Sequence, residues 1–225
     1  MLNRLIIFFI TVSAATAQLN DSPLLKEILK NLKSEFPNIL SAPDQYKLQI
    51  IYTQVNRNQN NIPLLDTHTS RHKPREYFYP ASTIKFPIAV LAMEKLNSIK
   101  NIDLDTPLNI MDGMLGIAGV MEDKTSRTGL PSIAHYIHKL FVVSDNDASN
   151  RLYEFLGRDY LHQRLWDLGY TETRIRHRLD ISLNESQNRY TSLFRFINDG
   201  RIIYEQPSQK AKAGGIASTQ FKSLK

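Results

Sequence analysis

Two short motifs in the sequence carry the side chains that covalent catalysis needs. The first is Ser82-Thr83-Ile84-Lys85, a serine followed three positions later by a lysine. On a helix, residues i and i+3 share a face, so Ser82 and Lys85 would be neighbours. An amine beside a hydroxyl can accept or stabilise its proton, and apolar surroundings lower the cost of a neutral lysine. This spacing is common by chance, but it indicates a candidate nucleophilic serine.

The second motif is Ser144-Asp145-Asn146, which sets a hydroxyl, a carboxylate and an amide side by side. It lies between two predicted helices, which would hold it rigidly. Ser, Asp and Asn are also favoured helix N-caps, and a capping run is the simpler interpretation of this motif when it is taken alone. The motif itself leaves both interpretations open.

The segment from Ser82 to Leu96 must position the first motif, and its pattern predicts a buried helix. Apolar residues cover nearly all of its faces, which is typical of a helix at the centre of a fold. Pro87 is tolerated cheaply only in a first turn, so we expect the helix to start close to Ser82.

The remaining pattern predicts a helical protein with one hairpin. A helix is expected from Pro23, ended by Pro37, and a hairpin follows with strands over residues 46–55 and from residue 62. Residues 101–129 are predicted to be mostly loop. Apolar periodicity predicts further helices over residues 132–142, 148–156, 159–168 and 191–198. No strand is predicted after Gly200.

Taken together and in this order, the two motifs resemble those of class A β-lactamases and related penicillin-recognising serine hydrolases. Asp147-Ala148-Ser149-Asn150 resembles the start of the helix that follows the family's second motif, and residues 181–184 resemble the end of its active-site loop. The resemblance extends from about Pro23 to about Gly200. It implies an α/β (α+β) fold, an antiparallel sheet flanked by helices and joined to an all-α subdomain.

The resemblance also implies roles for individual residues. Ser82 would attack the substrate carbonyl with its own N–H in the oxyanion hole, and Lys85 would activate it. Ser144 would pass a proton to the leaving nitrogen. Asn146 would bind the substrate amide, and Asn150 would brace the active-site loop.

The sequence departs from the family pattern in two places. In the family, a glutamate of the active-site loop positions the deacylating water. The matching residue here is Asp180, whose side chain is one methylene shorter, and Glu185 is the alternative. The third family motif, K-T-G or K-S-G on a strand, is absent, and the nearest form is Lys212-Ala213-Gly214. We therefore expect a sheet that is incomplete at its C-terminal side, with apolar surface left exposed, as in a truncated or naturally incomplete family member.

The function implied is hydrolysis of a β-lactam through an acyl-enzyme on Ser82. One alternative is a D,D-peptidase or penicillin-binding esterase, which slow deacylation without the loop glutamate would suit. The other is a catalytically weak domain that binds cell-wall peptide or another protein. The expected partner is a small molecule, a β-lactam or a D-Ala-D-Ala-like peptide, and the oligomeric state is left open.

The N-terminus has the pattern of a secretory signal peptide. Arg4 precedes an apolar run over residues 5–12, and Ala15-Thr16-Ala17 provides a small-residue cleavage site. A short membrane anchor is the alternative. We expect cleavage after Ala17 and a secreted or periplasmic protein with no permanent membrane span. Its hydrolase domain would cover residues 18–205, with a linker-like tail over residues 206–225.

Composition excludes several other classes of protein. The 225-residue chain has no cysteine, which excludes disulfides and a thiol nucleophile. Its formal net charge is +6, but its basic residues are spread along the chain, which argues against a nucleic-acid partner.

His135 and His138 share a helix face without a third ligand, so we expect no metal and no cofactor. Arg174, Arg176 and Arg178 alternate, as on an exposed edge.

Overall fold

A computed structural model of the protein describes residues 21–74, 76–111 and 117–212. Within these limits the chain forms two compact units, one ending at Tyr79 and the other beginning at Pro80. The predicted signal peptide, residues 1–17, lies outside the described residues, as does the end of the predicted tail from Ala213 onward. Among the described residues, no helix is both long and apolar enough to cross a membrane.

The first unit consists of two short helices and a hairpin. Its elements are helix α1 (Pro23–Asn31), helix α2 (Pro37–Ser41), strand β1 (Ile50–Arg57) and strand β2 (Pro63–Ser70), with β1 and β2 antiparallel. The backbone N–H of Ser22 donates to the carbonyl of Thr69 (2.8 Å), and the Ser22 hydroxyl contacts His68 Nδ1 (3.1 Å). These contacts hold the start of α1 against β2.

The expected leading helix is shorter than predicted. Helix α1 ends at Asn31 and passes into a 3-10 turn at Leu32–Ser34, and Pro37 begins α2 rather than ending α1. Proline suits the first position of a helix because its missing N–H has no intrahelical acceptor there. The expected hairpin is present, although β1 begins at Ile50 rather than at Tyr46 and extends to Arg57.

The second unit contains the two motifs. A 3-10 turn (Ala81–Ile84) leads into helix α3 (Lys85–Asn97), and strand β3 (Leu108–Ile110) follows. Three helices come next, α4 (Ile133–Val142), α5 (Asn146–Leu156) and α6 (Arg158–Asp167), which confirm the predicted spans to within two residues. After a 3-10 turn at Gln187–Arg189 the described chain adds strands β4 (Phe194–Asn198) and β5 (Arg201–Gln206).

The three-stranded sheet has the order β3-β4-β5 and is antiparallel throughout. Its inner side chains meet α5, where the ring of Phe155 lies 5.8 Å from those of Phe194 and Phe196. All three rings are fully buried. Helix α3 packs on the same core through Ile88, Leu91 and other apolar residues. The mixed α/β architecture expected from the sequence is confirmed.

Three predictions about this unit are wrong. Residues 191–198 were expected to form a helix but contain β4, because Phe194 and Phe196 alternate inward with a period of two. Strand β5 follows Gly200, where no strand was expected. Asp199 and Gly200 both have positive φ, as a tight hairpin loop requires. Strand β3 lies in a predicted loop and is too short to show a period.

Helix α3 is buried on most of its circumference but not on all of it. Ile88, Ala89, Leu91 and Ala92 are buried, whereas Phe86 is 64% exposed. The Phe86 ring contacts that of Phe141 on α4 edge-on, at 6.5 Å between centroids. The expectation of a helix covered on every face therefore holds for its inner faces only.

Candidate active site

The 3-10 turn at Ala81–Ile84 brings the first motif into place. The carbonyl of Pro80 accepts from the backbone N–H of Thr83 (3.0 Å) and from its hydroxyl (2.6 Å), which closes the turn. The backbone N–H of Lys85 donates to the carbonyl of Ser82. Side chains three positions apart eclipse in a 3-10 turn, so Ser82 and Lys85 share one side. Pro87 falls in the first turn of α3, as expected.

Lys85 joins the two motifs. Its Nζ donates to Ser144 Oγ (3.0 Å), to Asn146 Oδ1 (2.7 Å) and to the carbonyl oxygen of Ser144. The side chain is buried, whereas those of Ser82, Ser144 and Asn146 are exposed. The amine is therefore covered, while its contacts Ser144 and Asn146, and Ser82 one turn away, remain accessible to a ligand.

The environment of Lys85 favours a neutral amine more than water does. Burial lowers the pKa of Lys85, because a charged ammonium is poorly solvated in the interior. The Asp145 carboxylate opposes this effect and raises the pKa. Burial is the larger of the two influences, so a larger fraction of Lys85 is neutral at a given pH than of a surface lysine.

The second motif serves as a helix cap and as part of the site at once. Asp145 is the N-cap of α5, and its Oδ1 accepts from the backbone N–H of Ala148 (2.8 Å). Its neighbours on either side, Ser144 and Asn146, contact Lys85. Ser144 has a φ of 53°, in the left-handed region that a serine rarely adopts. The two interpretations that the sequence left open are therefore compatible.

Asn150 holds the segment that resembles the family's active-site loop. Its Nδ2 donates to the carbonyl of Leu179 (2.8 Å), and its Oδ1 accepts from the backbone N–H of the same residue (2.7 Å). The side chain is buried. Such a pair of hydrogen bonds fixes Leu179 against α5, and with it the neighbouring Asp180.

The two carboxylates predicted to position a water molecule differ in their surroundings. Asp180 is exposed and has a φ of 56°. Glu185 forms ion pairs with Arg158 (2.7 Å) and Arg189 (3.5 Å). The hydrogen bond from Arg158 lowers the pKa of Glu185. Glu185 therefore stays ionised and already accepts a hydrogen bond from Arg158.

Arg178 was expected on an exposed edge, and this prediction is wrong. Its guanidinium is 1% exposed and pairs with Glu154, which is equally buried, at 3.2 Å. It also donates to the carbonyl of Tyr190 (2.6 Å), while Glu154 accepts from the backbone N–H of Ser192 (2.8 Å). The alternating arginines suggested an exposed edge because a buried partner could not be recognised from the local sequence. The partner of Arg178 is Glu154, which lies far away along the chain.

Lys139 is a second residue near the site that the sequence did not reveal. On α4, its Nζ lies 3.3 Å from Asp123 Oδ2 and 3.5 Å from Asp145 Oδ2. Nothing in the two motifs identifies it. A lysine one turn before the end of a predicted helix is an ordinary surface residue in sequence terms.

The nearest form of the third motif is only partly described. The backbone N–H of Lys212 donates to Asp159 Oδ2 (3.1 Å), while Ala213 and Gly214 lie outside the described residues. Near the end of the described chain, Lys210 forms an isolated bridge with Tyr190. Within the described ranges there is no group of three or more His, Asp or Glu residues placed to hold a metal ion.

One comparison with known proteins gives a match. A family model described as "Beta-lactamase enzyme family" matches residues 31–213, well over half of the chain. Neither the curated proteins nor the solved structures include a significant match.

Proposed function

Because this chain belongs to the beta-lactamase enzyme family, we propose that it is a serine hydrolase that cleaves a β-lactam through an acyl-enzyme on Ser82. The observation that carries the proposal is the contact of Lys85 with both Ser144 and Asn146. That contact unites the two motifs around one buried amine. A buried lysine in contact with the Ser144 hydroxyl and one turn from Ser82 can take part in proton transfer during acylation.

In the acylation step, the Ser82 oxygen attacks the lactam carbonyl carbon while its proton passes to neutral Lys85. The alternative is that Lys85 stays charged and stabilises the developing oxyanion electrostatically, while the Ser82 proton passes by way of the Ser144 hydroxyl to the lactam nitrogen. As the lactam C–N bond breaks, the Ser144 hydroxyl gives its proton to the nitrogen and is reprotonated by Lys85. The Ser82 N–H would form half of the oxyanion hole.

Asn146 is oriented for substrate binding. Its Oδ1 accepts from Lys85, so its NH2 group is left to donate to a carbonyl oxygen of the substrate. The exposure of Asn146 is consistent with this role.

For deacylation we assign the water-positioning carboxylate to Asp180 rather than to Glu185. Asp180 adjoins Leu179, which Asn150 anchors, and its side chain is exposed. Glu185 is engaged by Arg158 and Arg189. An aspartate reaches less far than a glutamate, so deacylation should be the slow step.

The shorter carboxylate favours one second candidate, a D,D-peptidase or penicillin-binding esterase. In such a protein a slowly hydrolysed acyl-enzyme with a β-lactam is the expected behaviour. Two measurements on the same sample separate the candidates. Rapid nitrocefin turnover supports a β-lactamase, and stable labelling by a fluorescent penicillin supports the second candidate.

The matched variants for both measurements are Ser82→Ala and Ser208→Ala, the latter an exposed serine outside the motifs. We expect Ser82→Ala to abolish labelling and turnover, and Ser208→Ala to leave both unchanged. An unlabelled wild-type protein would instead favour a catalytically weak domain that binds cell-wall peptide.

We further propose that the protein is exported, from the signal-peptide pattern of residues 1–17. Edman sequencing of exported protein should begin at Gln18. Exported protein that still carries Met1 would contradict this proposal.

A further inference from the structure

Lys139 links the second motif to a separate loop. Its ammonium lies between the carboxylates of Asp123 and Asp145, at 3.3 and 3.5 Å. In addition, the backbone N–H of Asp145 donates to the carbonyl of Lys139 (3.4 Å). Asp145, which lies between Ser144 and Asn146, is therefore held by Lys139 in two ways. Its main chain forms a hydrogen bond with Lys139, and its carboxylate forms an ion pair with the Lys139 ammonium.

Asp123 is itself firmly held. Its Oδ1 accepts from the hydroxyl of Thr125 (2.5 Å) and from the backbone N–H of Thr125 (3.0 Å). Its Oδ2 lies 3.0 Å from His135 Nε2. Burial disfavours the charged carboxylate, but these hydrogen bonds together with that from Lys139 outweigh burial and lower the pKa of Asp123. Asp123 is therefore a fixed anion beside Lys139.

The neighbouring carboxylates likewise keep Lys139 in its charged form. Its burial lowers the pKa, but Asp123 and Asp145 more than compensate, so the pKa of Lys139 is raised. The charged and titratable groups around it are Asp123, Asp145 and, across Asp123, His135. Asp145 also acts electrostatically on Lys85, whose Nζ contacts the residues on either side of Asp145. One carboxylate thus influences two lysines.

Building on the proposed function, we propose that Lys139 is a positioning residue that tunes proton transfer at Lys85 by neutralising Asp145. With Lys139 in place, part of the charge of Asp145 is balanced, and its stabilisation of a protonated Lys85 is weaker. Without Lys139, the unbalanced carboxylate stabilises the ammonium form of Lys85. Less of the neutral amine is then present at neutral pH to accept the proton from Ser82.

The test compares Lys139→Met with Lys139→Arg and with a control, Lys124→Met. Lys124 is the exposed neighbour of Asp123, so its replacement removes the same charge from the same loop. Acylation rates by a fluorescent penicillin are measured across the pH range. A second readout follows the titration of the Lys85 ammonium by heteronuclear NMR, which requires no activity.

We expect the midpoint of the rising limb of the rate profile to move to higher pH in Lys139→Met, by on the order of one pH unit. Below both midpoints that corresponds to about a tenfold lower rate. The NMR midpoint of Lys85 should move in the same direction. Lys139→Arg and Lys124→Met should keep both midpoints near those of the wild type.

Two results would overturn the inference. One is an unchanged NMR midpoint of Lys85 in Lys139→Met. The other is a rate that falls equally at every pH, which would indicate a purely structural role. If the wild type is not acylated at all, the proposed function fails, but the NMR titration still decides the inference about Lys139.

Discussion

At the residue scale, three of the non-glycine residues with positive φ lie around the candidate site. Ala81, Ser144 and Asp180 all have positive φ, at 46°, 53° and 56°. For residues with a Cβ this conformation costs about 1 kcal/mol or more each. Ala81 precedes Ser82, Ser144 contacts Lys85, and Asp180 follows the residue that Asn150 holds. The surrounding hydrogen bonds must offset the strain, which makes those bonds the sensitive points.

Asn150 offers a graded test of this dependence. Asn150→Ala removes both hydrogen bonds to Leu179 and should lower the free energy of unfolding by about 1–3 kcal/mol. Asn150→Asp keeps an acceptor for the Leu179 N–H but places a buried carboxylate oxygen against the Leu179 carbonyl, so its effect should be at least as large. In both variants we expect release of a bound penicillin label to slow more than its attachment. Denaturant unfolding and label-release rates provide the measurements.

An unchanged release rate in Asn150→Ala would contradict the role of Asn150 in bracing Asp180. Loss of attachment and release to the same extent would do so as well, since that pattern indicates general damage to the site.

Candidate site residues can be recognised from the sequence where the members of a pair are close along the chain. Ser82 and Lys85 are one turn apart, and Ser144 and Asn146 lie in one short segment, so pattern alone brought each pair to attention. Lys139 and Arg178 escaped because their partners, Asp123 and Glu154, are distant along the chain. No spacing rule connects such pairs, and only the folded backbone brings them together.

At the element scale, the clearest failure of sequence reasoning is strand β4. Apolar residues in the 191–198 segment fit a helix period as well as a strand period, because the segment is short. The turn residues Asp199 and Gly200 were the better signal, since this dipeptide between two apolar runs favours a hairpin. The helices α4, α5 and α6 were predicted well because their periodicity extends over about three turns and ends at clear caps.

Helix α5 is stabilised at its C-terminal end by a lysine from α3. The ammonium of Lys95 donates to the carbonyls of Phe155 and Leu156, the latter at 3.2 Å, and lies 4.8 Å from the centroid of the Phe155 ring. Burial lowers the pKa of Lys95 to about 8, from the 10.5 of a free lysine. The arrangement therefore predicts a specific pH dependence of stability.

Between these two pKa values, the unfolded chain keeps a proton on Lys95 that the folded chain has released. Raising the pH from 8 to 10 should therefore increase the free energy of unfolding relative to that of Lys95→Met, which lacks the titrating group. The range stops near 10 because burial also raises the pKa of Tyr153 to about 12, and tyrosine ionisation in the unfolded chain then opposes folding. Lys100→Met, which removes an exposed lysine, is the control. Parallel stability curves for wild type and Lys95→Met would refute the prediction.

At the scale of the whole molecule, the hairpin of the first unit leaves apolar surface uncovered. In the described part of the chain, β1 and β2 pair only with each other. On one face, Ile51, Val55 and Leu65 are 59%, 58% and 44% exposed. Open strand edges beside exposed apolar side chains promote association between chains. This exposed surface lies on the hairpin, not at the C-terminal side of the sheet where the sequence predicted it.

We expect Val55→Lys to reduce self-association, because a lysine on that face disfavours contact between hairpins. Gln54→Lys places the same charge on the opposite face and serves as the control. Sedimentation velocity over a range of protein concentrations gives the measurement. Equal association of the two variants would show that this face is not the one through which chains associate.

Ser82 is the proposed nucleophile on which the whole catalytic assignment depends. The most direct test of this role is peptide mapping by mass spectrometry after brief incubation with benzylpenicillin and quenching in acid. We predict one covalent adduct, on the peptide that contains Ser82, absent from Ser82→Ala and formed orders of magnitude more slowly in Lys85→Ala. An adduct on another peptide, or one that forms in Ser82→Ala at the wild-type rate, would contradict the account.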